Sequence, residues 1–152
     1  MSYAFYPGCS LGATGLPYAM STRQVVDALG LDMPELEDWN CCGTSAFQVL
    51  DEVASLSLSG RNLALAEQGG YRELVTPCSG CYLYLRKASH ALATSPRMKE
   101  KVDASLAAAG VRYQGGVEVR HLLDVLVKDG GLDRIKAAAT RGLGGIKVAC
   151  YY

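Results

Sequence analysis

Five of the six cysteines fall in three short clusters. Cys9 closes the run Tyr6-Pro7-Gly8-Cys9, the adjacent pair Cys41-Cys42 precedes Gly43, and Cys78-Ser79-Gly80-Cys81 forms a CxxC turn. Thirty-one residues separate the first cluster from the second, and 35 separate the second from the third. Two residues between thiols let one turn aim both sulfurs at a single centre. Adjacent cysteines must splay apart unless a multinuclear centre offers each sulfur its own iron, and one tetrahedral zinc takes four ligands rather than five. Gly8, Gly43 and Gly80 can adopt positive φ and bring backbone amides close to a bulky anionic group, or serve plain turns. Cys150 stands alone and reads as a small buried hydrophobe.

Other groups carry weaker signals. His121 lies where a strand gives way to a helix and can orient a sulfur or donate a proton. His90 sits in the polar run Arg86-Lys87-Ala88-Ser89-His90 and is assigned no function. Trp39 and Tyr82 flank the cysteines and can exclude water from a redox centre, or simply belong to the core. Lys and Arg are sparse beside the motifs, which leaves backbone N–H dipoles to support a reduced centre. Gly142-Leu143-Gly144-Gly145 is no GxGxxG fingerprint, and a nucleotide site is unsupported.

The elements that must position these residues alternate in type. Short apolar or β-branched runs at Tyr3–Tyr6, Leu74–Thr76, Val117–Val119 and Ile146–Cys150 predict strands. Helical spacing predicts helices over Pro17–Leu29 closed by Gly30, Glu52–Glu67 opened by Asp51, and Pro96–Ala109 between Ser95 and Gly110. Two more are predicted from Cys81 to Leu92 and from Leu122 to Lys128, the latter ending at Gly130-Gly131. The fold class is α/β, a largely parallel sheet flanked by helices. Cys9 and Cys78 each follow a strand through a Pro-containing turn, which places the cysteine loops at one edge of the sheet.

At 152 residues the chain has the size of one domain. Fifteen basic and 15 acidic side chains cancel, so no electrostatic footprint for nucleic acid exists. The opening MSYAFYPGC lacks the pattern of a secretory leader, and no run approaches the ~18 apolar residues of a membrane span. A cytoplasmic protein is expected, in which clustered thiols are metal ligands or redox groups rather than a disulfide framework. The ending Lys147-Val148-Ala149-Cys150-Tyr151-Tyr152 echoes Ser2-Tyr3-Ala4-Phe5-Tyr6-Pro7. The expected organisation is therefore one cysteine-rich domain over 1–145 and the start of a second, truncated repeat over 146–152.

The cysteine pattern, with its Tyr-Pro-Gly-Cys and Pro-Cys-x-x-Cys contexts, resembles the cysteine-rich CCG motif. Over essentially the whole chain it is similar to the first of two such motifs in the heterodisulfide reductase B-subunit family. The resemblance implies a non-cubane [4Fe-4S] cluster held by Cys9, Cys41, Cys42, Cys78 and Cys81. It implies a second cluster in the full-length protein, with the two motifs facing each other around a substrate disulfide. It also implies reduction of that disulfide, such as the coenzyme M/coenzyme B heterodisulfide of methanogenesis, in two one-electron steps. No catalytic side chain beyond the ligands is required. The implied partners are A and C subunits, or other iron-sulfur or flavin electron donors. The second motif is absent, so this polypeptide alone does not build a two-cluster site. Three rival readings stand beside this one: an electron-transfer subunit of a glycolate or glycerol-3-phosphate system, a structural zinc interaction module, and a dithiol oxidoreductase using Cys78 and Cys81.

Overall fold

Strand β1 (Tyr3–Phe5) is buried along its whole length, as is Leu74–Thr76 of β2 (Glu73–Thr76). Continuous apolar burial suits strands covered on both faces. The computed structural model describes residues 3–44, 46–142 and 144–149. Helix α1 (Leu16–Ala28) starts with Pro17 in its first turn and ends before Gly30, whose φ is +58°. A short α2 (Ala46–Leu50) leads into α3 (Glu52–Gln68), where Asp51 accepts from the Ala54 amide at 3.0 Å. After β2 come α4 (Ser79–Thr94) and α5 (Pro96–Ala108), the latter opened by Ser95, which accepts from the Met98 amide. Strand β3 (Glu118–His121) runs directly into α6 (Leu122–Val125), a π-helical stretch (Leu126–Gly131) and α7 (Leu132–Ala138).

The three strands form one parallel sheet in the order β1-β2-β3, in register Ala4↔Leu74↔Val119. Alternation sends Ala4, Leu74 and Val119 into a core with Leu63, Leu85, Val102 and Leu106 of α3, α4 and α5. Tyr3 and Val75 face the other way, against Val26 of α1 and Leu122 and Val125 of α6. Gly60 permits the close approach of α3 to α5, since a Cβ there would lie 3.4 Å from Val102 Cγ1.

One expectation is corrected. The run Ile146–Cys150 forms no strand over its described residues 146–149; Ile146 and Val148 are exposed and lie against no strand edge with which to build a ladder. Cys150 and the rest of the 150–152 echo lie outside the described residues. The helix after β3 widens into the π turn and breaks at Gly131, as expected, where φ is +82°; the short α7 that begins there was not expected. The π turn carries Asp129 to Arg120 of β3 and to the Tyr3 hydroxyl, a half-buried ionic contact that helical spacing does not reveal. Helix α2 was not expected from the sequence.

Candidate metal centre

All three cysteine loops leave the carboxyl edge of the sheet, where a parallel sheet gathers its ligands. Cys9 follows β1 through Tyr6-Pro7-Gly8, and Tyr6 N extends the ladder by donating to Val75 O at 2.8 Å. The second loop gains the same edge through the chain around Glu35, which bridges Phe5 in parallel: Phe5 N donates to Pro34 O and Leu36 N to Phe5 O. Cys78 follows β2 and caps α4, with Cys81 in its first turn.

The adjacent pair is held by α3. Asn62 is fully buried; its Oδ1 accepts from Asn40 N and its Nδ2 donates to Asn40 O, both at 2.9 Å. The Tyr6 hydroxyl donates to the same carbonyl at 2.8 Å, and Ser59 Oγ donates to Cys42 O at 2.7 Å. Arg61 adds bonds to Asp38 O and Asn40 Oδ1. Sequence reading missed this clamp. Its trace is the buried polar set Ser55, Ser59 and Asn62, spaced four and three apart on one face of an otherwise apolar helix. Asn62→Leu strips the Asn40 amide of its partner while leaving Tyr6 on the carbonyl. The expected loss is about 1–3 kcal/mol in urea unfolding, with faster amide exchange at Asn40 to Gly43.

The thiols form a linked set. Cys42 and Cys81 are buried with their sulfurs 3.5 Å apart, and Thr44 Oγ1 lies 2.6 Å from Cys42 Sγ. Cys78, half-buried, stands close enough to Cys81 to act on its thiol, and the exposed Cys41 acts on the exposed Cys9 in the same way. Hydrogen bonding to Cys81 and Thr44 holds the Cys42 thiol down at about 6, against the opposing effect of burial. Hydrogen bonding to Cys42, burial and the charge on Cys42 push Cys81 far above the ordinary thiol range. Burial and the nearby Cys41 raise Cys9. Crowded thiols resist ionising together, and this is the strain that a cationic centre relieves.

The surroundings fit a bulky group held by thiolates. Gly8 has φ +75°, and a Cβ on it would sit 2.8 Å from Cys81 Sγ. Gly43, at φ +79°, is also as expected, but Gly80 is not: it is helical, in the first turn of α4, because the CxxC turn is itself the start of that helix. Among the described residues no three His, Cys, Asp or Glu side chains are arranged around one metal ion. Five soft thiol donors spread over three loops match a multinuclear iron-sulfur group better than one tetrahedral ion.

The remaining sequence candidates are placed as follows. Trp39 packs edge-on against Tyr6 at 5.5 Å and donates to Glu35, forming a wall under the Cys41 loop. Tyr82 packs against His121 at 5.7 Å. Tyr18, which sequence reading passed over, directs its hydroxyl to Pro77 O at 3.5 Å beside Cys78. The cysteine-bearing stretches 1–22, 39–50 and 74–85 contain no Asp, Glu, Lys or Arg, so all 30 such residues lie elsewhere. Beside the loops, Leu16, Met20, Phe47, Val49, Leu50 and Leu83 are exposed.

Comparison with known proteins agrees with this geometry. The model of the CCG cysteine-rich domain matches residues 3–86. An 8-methylmenaquinol:fumarate reductase membrane anchor subunit of Wolinella succinogenes is 37% identical, over 99% of this chain and 51% of its own length. A protein of Archaeoglobus profundus described as like the heterodisulfide reductase B subunit is 35% identical, over 98% of this chain and 50% of its own. The chain thus spans about half the length of the curated relatives it matches. A crystal structure of a hypothetical protein from Helicobacter pylori shares the fold, with a TM-score of 0.72 at 19% identity over 83% of this chain and 25% of that one. No helix among the described residues is long and apolar enough to cross a membrane. The five-thiol spacing, the loops that carry it and the matched residues agree: the chain belongs to the CCG cysteine-rich domain family, alongside relatives named for the heterodisulfide reductase B subunit.

Proposed function

We propose that this chain is the iron-sulfur unit of a heterodisulfide-reductase-B-type redox protein, in which Cys9, Cys41, Cys42, Cys78 and Cys81 hold a non-cubane [4Fe-4S] cluster. The observation that carries this reading is the gathering of five thiols from three loops at one sheet edge, with the Cys42 and Cys81 sulfurs 3.5 Å apart and Gly8 so close to Cys81 that no Cβ fits there. Such a group supplies single-electron steps, and two electrons with two protons convert one disulfide into two thiols. The chain's own residues hold and shield. Cys42 and Cys81 form the floor, Cys9 and Cys41 the mouth, and α3 fixes the adjacent pair through Asn62 and Ser59. Within the cysteine-bearing stretches themselves no charged side chain competes for the thiolates.

A second unit completes the proposed site. The relatives are about twice as long, and apolar residues next to the cysteine clusters in sequence, such as Met20, Phe47 and Leu83, are exposed and available to it. The proposed partners are A- and C-type subunits or other iron-sulfur or flavin donors, in the cytoplasm. An electron-transfer role without disulfide chemistry is the second reading, favoured by the fumarate reductase relative. One experiment separates these readings: iron, zinc and acid-labile sulfide per chain after anaerobic purification, with electron paramagnetic resonance before and after thiol addition. Iron and sulfide in near-equal amounts with a thiol-sensitive signal supports disulfide reduction. A thiol-insensitive signal moves the assignment to electron transfer, and zinc without sulfide overturns both.

A further inference from the structure

Among the buried side-chain polar atoms of the described residues, His121 Nε2 stands without a hydrogen-bond partner. The ring's other nitrogen is engaged: Nδ1 accepts from Leu123 N at 3.2 Å and caps α6. A nitrogen that accepts carries no proton, so the ring proton sits on Nε2, and the orphan atom is a buried donor. Burying a donor unpaired is costly, and natural folds keep such a group where something else supplies the acceptor.

The position says what that acceptor is. His121 is the last residue of β3 and pairs in register with Thr76, so both side chains lie on the α4 face of the sheet. Thr76 Oγ1 accepts from Cys78 N at 3.4 Å, and the His121 ring packs perpendicular to Tyr82, the residue after Cys81. The donor is therefore held at the carboxyl edge, beside the Cys78–Cys81 turn. Both Tyr82 and the turn belong to a stretch with no charged residue, so no carboxylate from that stretch competes for it.

We infer that His121 is a positioning residue whose Nε2–H donates to an anionic sulfur at the Cys78–Cys81 turn, favouring the reduced, more negative state of the centre. This rests on the iron-sulfur reading above and adds to it the residue that tunes the potential. Hydrogen bonds to sulfur raise iron-sulfur reduction potentials because they stabilise added negative charge.

Two substitutions divide the ring's two functions. Asn is shaped to keep an acceptor near Nδ1 for the Leu123 amide while deleting the distal donor; Gln is shaped to place an N–H near Nε2 while giving up the cap. Potentiometric titration of the anaerobically purified, iron-loaded chain, with and without added thiol, is the readout. His121→Asn is expected to lower the ratio of reduced to oxidised centre roughly tenfold at a fixed potential, equivalent to about 59 mV for a one-electron couple, while His121→Gln stays near wild type. A shift without thiol assigns the acceptor to the centre; a shift only with thiol assigns it to a substrate sulfur. An unchanged potential in His121→Asn, or an equal shift in both variants, overturns the inference. A second arm needs no metal. In the iron-free chain an unpaired donor stabilises nothing, so His121→Asn is expected to melt no lower than His121→Gln, which loses the same ring contact with Tyr82 but keeps the distal donor; Asn melting clearly below Gln means that Nε2 already has a partner and overturns the inference even if the iron-sulfur reading stands. A wild-type chain that binds no iron and sulfide overturns the iron-sulfur reading and this inference together.

Discussion

Serine in place of Cys42 is expected to leave the anaerobically purified chain without most of its iron, while its iron-free fold stays within about 1 kcal/mol of wild type. Cys42 is the most engaged of the thiols: buried, 3.5 Å from Cys81 Sγ, bonded to Thr44, and the one whose thiol is held down at about 6. A hydroxyl fills nearly the same volume and keeps the Thr44 hydrogen bond, so packing changes little. It is a hard, weakly acidic donor and a poor substitute for thiolate at iron. Cys41→Ser is expected to lose iron as well, because the five-ligand proposal requires both members of the adjacent pair. Cys150→Ser serves as the control and is expected to retain the wild-type iron content. Iron per chain, read beside the urea midpoint of the stripped protein, separates loss of the centre from loss of the fold. Full iron in either Cys41→Ser or Cys42→Ser would sink the five-thiolate assignment.

The largest effect on stability is expected at Arg120, far from the thiols in role though adjacent to His121 in sequence. Its guanidinium, 12% exposed, bonds Glu73 at 2.7 Å, Asp124 at 2.9 Å and Asp129 of the π turn. The Tyr3 hydroxyl donates to Asp129 at 2.8 Å, and burial and that contact push the Tyr3 phenol up to about 12. Arg120→Ala leaves the half-buried Glu73 and Asp129 without their cation, which costs about 2–4 kcal/mol, below the full penalty of a fully buried pair. The pH dependence carries the signature. Burial pulls the Asp129 carboxyl upward, but hydrogen bonds from Arg120 and Tyr3 outweigh it and hold the group below the usual carboxylate range. A depressed folded value means stability that is fully present above the unfolded pKa of about 3.9 and is lost as pH falls through the lower folded value. Without Arg120 burial prevails, the folded value rises above the unfolded one, and acidification favours the folded variant. The gap between wild type and Arg120→Ala in urea unfolding is therefore expected to narrow between pH 7 and about pH 4. A gap that does not change with pH would mean that the contact is packing rather than charge.

What sequence could and could not reveal follows the range of the interactions. Asp51, Ser95, Pro96 and Gly30 announced helix ends because caps act within four residues, and apolar runs announced β1 and β2 because their burial is nearly continuous, whereas β3 buries only Val119 and was legible by that residue alone. Gly8 and Gly43 were legible as left-handed turns, whereas Gly80 was not, since its helix begins inside the CxxC turn. The run at 146–149 misled because strand propensity needs an edge to pair with, and propensity alone does not supply one.

The number of thiols, their spacing, their glycine and proline contexts and the charge-free stretches around them are properties of the chain as written, set by neighbours in sequence. Only the tertiary structure decided that Cys42 meets Cys81 across 39 residues, that Asn62 clamps Asn40 across 22, and that Arg120 gathers Glu73 across 47. It alone decided which nitrogen of His121 is left free, because that choice depends on a cap formed where β3 turns into α6. The physical reason is the same in each case: such contacts form only after loops close and the sheet edge assembles, so no local pattern of residue types encodes them.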